Sequence, residues 1–171
     1  MQVLRHVHAG DARLNRGRLT VGGGWDTSSG QGMILEIDNA NLFVPPGILS
    51  RWSGTLAIEP SPGRLAGIVG DLVLEGGLWD QDIDLAGALL APESVSLPPD
   101  DPRHDVLVDL AVRGRGGIHV DNNLGVFDIS WQELLVGGTA AQPVLEGEVR
   151  IAGGGVIALA GRATKIQRGV I

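Results

Sequence analysis

Residues 105–113 read DVLVDLAVR, and this stretch decides the fold. Val106, Val108, Leu110 and Val112 share one parity, while Asp105, Asp109 and Arg113 share the other with Leu107 and Ala111. Alternation with a period of two is the pattern of a strand with one buried face, because successive side chains on a strand point to opposite sides. The same logic recurs at 146–152, where Gly147, Val149 and Ile151 alternate with Glu146, Glu148 and Arg150. It recurs again at 33–38, where Met33, Leu35 and Ile37 alternate with Glu36 and Asp38.

Outward from these three, the pattern predicts further strands over 12–21, 42–44, 54–58, 65–74, 80–86, 118–120, 124–131, 156–160 and 164–170. Between them stand Gly22-Gly23-Gly24, Pro45-Pro46-Gly47, Pro60-Ser61-Pro62-Gly63, Gly76-Gly77, Gly116-Gly117, Gly137-Gly138 and Gly153-Gly154-Gly155, all read as turns. With 27 Gly and 9 Pro in 171 residues, the chain is cut too finely for long helices. The expected class is all-β, with a mainly antiparallel sheet. One stretch breaks the rhythm: 89–103, LLAPESVSLPPDDPR, reads as a long irregular Pro-rich connection between loose halves 1–88 and 104–171 of a single segment. The halves are weakly alike, with Gly70-Asp71-Leu72-Val73-Leu74 echoed by Gly147-Glu148-Val149-Arg150-Ile151. A sheet with one apolar face has to cover it, and a sandwich, a barrel and a folded-over groove all do so.

Composition narrows the function classes. The apolar fraction of 43% supports a real core, and it is built on Leu, Val and Ile, because the chain has no Tyr, two Phe and four Trp. The net charge of −7 comes from interspersed residues without a basic stripe, which argues against nucleic acid as the main partner. Cysteine is absent, which fits either a reducing compartment or an extracytoplasmic protein that relies on its sheet. No run of eighteen apolar residues occurs and the opening MQVLRHVHAGD has no signal-peptide core, which is expected of a soluble protein or of a fragment.

The candidate chemical sites have simpler readings. His6 and His8 share a strand face but have no third ligand nearby, so no metal is expected there. Asp80, Asp82 and Asp84 alternate without the tight glycine turn of a calcium loop and read as a solvent face. Asp100, Asp101 and His104 have no nucleophile on a strained elbow, and Ser28-Ser29-Gly30 reads as a turn. No glycine cluster has the spacing of a phosphate loop, and Arg113-Gly114-Arg115-Gly116-Gly117 reads as a solvated basic turn. No active site and no cofactor are expected, which leaves the apolar faces as the functional surface.

The C-terminal half resembles a known family. Ile118-His119-Val120, then Leu134, Val136, Gly138-Thr139 and Pro143, then Leu145-Glu146-Gly147-Glu148-Val149-Arg150-Ile151 and finally Ile166-Gln167-Arg168-Gly169-Val170-Ile171 follow one another as words do in the TamB family. That family comprises the inner-membrane subunit of the translocation and assembly module, within the AsmA-like, bridge-like lipid-transfer superfamily. The resemblance is best over 89–171, and the first half matches in style. Trp131-Gln132-Glu133 departs from the family's Ser/Thr-Gly-Asp, and Ala163-Thr164 stands where an aromatic is usual.

The resemblance implies a piece of a long periplasmic protein anchored in the inner membrane. Its long curved sheet would fold into a taco-shaped or U-shaped groove with an apolar interior. The implied cargo is phospholipid moving between inner and outer membranes. The implied alternative is a chaperone for outer-membrane β-barrel proteins, with a barrel partner of the BamA/TamA type. The lining expected from parity is Leu35, Ile37, Leu56, Ile58, Leu72, Leu74, Ile83, Leu85, Val106, Val108, Leu110, Val149 and Ile151. Twelve strands at about 4.8 Å would span about 55 Å. Arg or Asp at Leu74 or Leu110 is expected to block transport and spare the fold. A protein-interaction reading assigns function to an exposed sheet edge at 164–171, and an adhesive or structural reading expects a dry core with no lipid.

Overall fold

A computed structural model describes residues 10–14, 17–26, 30–44, 47–82, 98, 100–159, 162–165 and 169–170. These residues form one twelve-stranded, mainly antiparallel sheet. Its strands are β1 Gly10–Leu14, β2 Gly17–Asp26, β3 Gln31–Val44, β4 Ile48–Glu59, β5 Ala66–Trp79, β6 Val106–Gly114, β7 Ile118–Asn122, β8 Gly125–Gly138, β9 Pro143–Ile151, β10 Val156–Leu159, β11 Arg162–Lys165 and β12 Gly169–Val170. The only helix among the described residues is a single 3-10 turn, Pro102–Asp105, capped by the Asp101 side chain.

Twelve strands fill only nine positions across the sheet. β6 and β7 lie end to end between β5 and β8: β5 pairs with β6 over Ala66–Leu74 and with β7 over Gly77–Trp79. β9 and β10 likewise lie end to end beside β8, and β12 and β11 beside them. Eight spacings of about 4.8 Å make the sheet about 38 Å across, against the 55 Å expected from a simple strand count.

The two halves join in a parallel pair, β5 with β6, running from Ala66↔Val106 to Leu74↔Gly114. A tight hairpin cannot make this join, since a parallel return needs a crossover the length of the strands. The chain leaves β5 at one rim, where the Gln81 carbonyl accepts from Asn122 Nδ2 at 3.2 Å and Asp82 Oδ1 accepts from the Asn123 N–H at 2.9 Å. It re-enters at the opposite rim, where Leu65 N–H donates to the Asp105 carbonyl at 2.9 Å and Ala141 N–H to the Arg103 carbonyl at 3.2 Å.

Several expected boundaries move. The span 12–21 contains parts of two strands, β1 and β2. The spans 33–38 and 42–44 fuse into β3 through a bulge at Asn39, which takes φ 50°. Gly22-Gly23-Gly24 and Gly76-Gly77 are strand interior, not turns: Gly22 and Gly23 pair with Ile34 and Met33 of β3, Gly76 pairs with Arg51 of β4, and Gly77 pairs with both Ser50 of β4 and Ile118 of β7. The strand expected at 80–86 is not formed over 80–82, and 83–86 lie outside the described residues. The span 164–170 divides between β11 and β12.

Candidate functional site: an apolar sheet face

Residues paired across a ladder point to the same face, so register assigns every strand position to a side. Leu35 pairs with Leu56, and Ile37 pairs with Gly54, which pairs in turn with Leu72. Ile58 pairs with Ile68, which pairs with Val108; Gly70 links Leu56 to Leu110. Val106 stands beside Ala66, and Leu74 shares the parity of Leu72. Through Leu110↔Val136, Val112↔Leu134 and Leu134↔Gly147, the same face reaches Val149 and Ile151. Eleven expected lining residues therefore fall on one face; Ile83 and Leu85 lie outside the described residues. Sequence reasoning omitted Met33, Ile68, Val112, Val136, Trp52 and Trp131, which share it. Parity within each strand would have found Met33, Trp52, Ile68 and Val112, whereas the bulge between Trp131 and Leu134 in β8 breaks the parity that would join Trp131 to Val136.

From Leu19 and Val21 in β2 to Val149 and Ile151 in β9, the regularly paired positions of this face carry no ionisable side chain. Its polar atoms are satisfied internally. Ser50, 3% exposed, donates to the Leu42 carbonyl at 3.2 Å and accepts from Trp52 Nε1 at 2.7 Å. Trp131 Nε1 donates to the Val112 carbonyl at 3.1 Å. The face thus offers hydrocarbon contact and little hydrogen bonding to a ligand, which suits alkyl chains.

Burial along the face is uneven. Ala40, Leu74 and Val120 are completely buried and Val112, Phe127 and Leu134 nearly so. Leu35, Ile37, Leu56, Ile58, Leu72, Val106, Val108, Leu110, Val149 and Ile151 are half-buried. This corrects one expectation: a charge at Leu74 would sit in the core and threaten the fold, so of the two proposed positions only Leu110 tests the surface.

The opposite face is mixed. Arg113 bridges Asp71 at 3.1 Å and Glu133 at 3.0 Å, and His119 Nδ1 lies 2.8 Å from Asp128 Oδ1 beside a hollow of about 460 Å³ lined by Val126, Phe127 and the 152–156 loop. Exposed Phe43, Leu49 and Leu78 also stand there in register. Of the basic turn, Arg113 belongs to β6, and Arg115 holds Glu75 at 2.8 Å, so both guanidiniums face carboxylates.

The remaining candidates stay apart. Asp80 and Asp82 are exposed; His6, His8, Ser28, Ser29 and Asp84 lie outside the described residues. Asp101 is engaged by Arg103: the guanidinium donates at 2.9 and 2.8 Å and the backbone N–H at 2.9 Å. First the side-chain bond and then the backbone bond hold the Asp101 carboxyl down at about 2. Among the described residues no three His, Cys, Asp or Glu side chains converge as a metal site, and no helix is long and apolar enough to cross a membrane. No family model, curated protein or solved structure matches the chain.

Proposed function

We propose that this chain is a segment of a periplasm-spanning, inner-membrane-anchored protein whose apolar sheet face shields phospholipid acyl chains between the inner and outer membranes. In this reading the sheet bends into a groove with that face inside. The observation that carries it is the collection of eleven half-buried or buried aliphatic residues on one face whose polar atoms bond internally. The order of C-terminal words resembling the TamB family supports the periplasmic setting. Burial is worth about 0.8 kcal/mol per methylene, so a continuous aliphatic floor holds a tail at any point and lets it slide. The test is gentle native mass spectrometry of the purified chain beside Leu110→Asp. Phospholipid on the wild type and its loss from a still-folded variant is the expected result; a lipid-free wild type sinks the proposal.

The alternative is assembly of outer-membrane barrel proteins through a sheet edge. It is favoured by one observation: among the described residues β11 pairs only with β10, and β12 only with β9, leaving their outer sides open to another strand. Crosslinks from this edge to a β-barrel protein, with no lipid on the face, would select this reading.

A further inference from the structure

We propose that Trp52 and Trp131 form the end wall of the acyl-chain floor and set how long a tail it accepts. The inference rests on the lipid reading above. Its own support is a set of ladder irregularities that line up across neighbouring strands. β3 carries an extra step between Ile37 and Ala40, with Asn39 N–H donating to Ser53 Oγ at 3.1 Å. β5 carries one at Glu75, since Trp52 pairs with Leu74 but Arg51 with Gly76. β6 gives way to β7 across 115–117 at the same level, and β8 carries a further irregularity between Trp131 and Leu134. A bulge bends its strand and increases its twist. Bulges aligned across a sheet turn a corner in it, as glycine kinks and bulges do in designed barrels.

On the apolar face this line carries two indoles, both held in place. Trp52 is fixed through Ser50 at 2.7 Å, and Trp131 through the Val112 carbonyl at 3.1 Å. The Trp131 ring lies over Gly114, where an added Cβ would stand 3.3 Å from Nε1 and 3.4 Å from Cδ1. Between them Leu74 is wholly buried. On one side of the line the half-buried floor runs from Leu72 and Leu110 towards the rim. From Ile58 to Trp52 the floor is six residues deep, or about 20 Å. That exceeds the roughly 15 Å of one leaflet's hydrocarbon. A tail of leaflet length entering from that rim, headgroup outermost, therefore fits whole with about 5 Å to spare, and only longer tails meet the indoles.

The test uses the full chain, loaded with phosphatidylcholines of graded tail length, beside Trp52→Ala and Trp131→Ala. Opening the wall should shift retained lipid towards longer tails by about fourfold for each newly admitted methylene. A folded variant with the wild-type length profile overturns the wall. Should either variant fail to fold, Trp25→Phe/Trp79→Phe keeps the wall and leaves its indoles as the only fluorophores. Tails brominated near the terminal methyl should then quench more strongly than tails brominated near the carbonyl; the reverse order overturns the assignment. A wild type that retains no lipid overturns both this inference and the parent reading, whereas retained lipid with unchanged length preference overturns this one alone.

Discussion

Leu74 and Leu110 stand on the same face of adjacent strands, and truncating each to alanine should have unequal consequences. Leu74 is 0% exposed and Leu110 is half-buried. Leu→Ala removes three carbons, about 2.4 kcal/mol of transfer free energy at about 0.8 kcal/mol each. At Leu74 the void stays enclosed, and the cavity term raises the loss to about 3–4 kcal/mol. At Leu110 the removed atoms were partly wet and the space opens to solvent, so about 1 kcal/mol is expected. For a chain of this size each kcal/mol moves the melting temperature by about 2–4 °C, giving drops of about 6–16 °C against about 2–4 °C. Urea unfolding followed by tryptophan fluorescence measures both. Losses equal to within about 0.5 kcal/mol would refute the division of this face into an enclosed core and an open floor.

Four further outcomes are expected. Gly54 sits mid-strand at φ +146°, where a Cβ would stand 2.2 Å from the Asp71 carbonyl oxygen, so Gly54→Ala should cost more than about 2 kcal/mol by urea titration. Gly22→Ala, with nothing within 4 Å of its Cβ, should change stability by less than about 1 kcal/mol. The Asp101 carboxyl is depressed to about 2 from an ordinary value of 3.8, so its contribution is present above the unfolded value and lost as pH falls from about 4 to 2. Melting temperatures of wild type and Asp101→Asn should converge across that window, and a gap that stays constant would contradict the assignment. Arg113 touches two carboxylates but is 54% exposed, so Arg113→Ala should cost less than about 1 kcal/mol in thermal denaturation, and less still at high salt.

Much of the fold was legible because its signal is local. Val106–Val112 alternates so cleanly that both its strand character and its apolar parity can be read from the stretch alone. The glycines misled where they served as strand interior. Gly76-Gly77 looks like punctuation, yet Gly77 pairs with Ser50 on one side and Ile118 on the other. A glycine pair gives the same local signal in a turn and in a strand crowded by its neighbours, so only those neighbours tell the two apart. Trp52 shares the parity of Leu56 and Ile58 within β4, whereas the bulge between Trp131 and Leu134 gives Trp131 the opposite parity from Val136, and only the β9 ladder puts those two on one face.

The sequence by itself determined that this is a β-protein, where most of its strands lie and which residues share a parity within each. Those properties follow from a period of two and from turn chemistry a few residues long. Tertiary structure decided that the separate parities coincide on one face, because register is set between strands distant in sequence. It also decided that the halves meet as a parallel pair, and that twelve strands occupy nine positions. Finally, it separated Leu74 from Leu110. Burial depends on what surrounds a side chain, and two leucines of equal parity carry no record of that in their own strands.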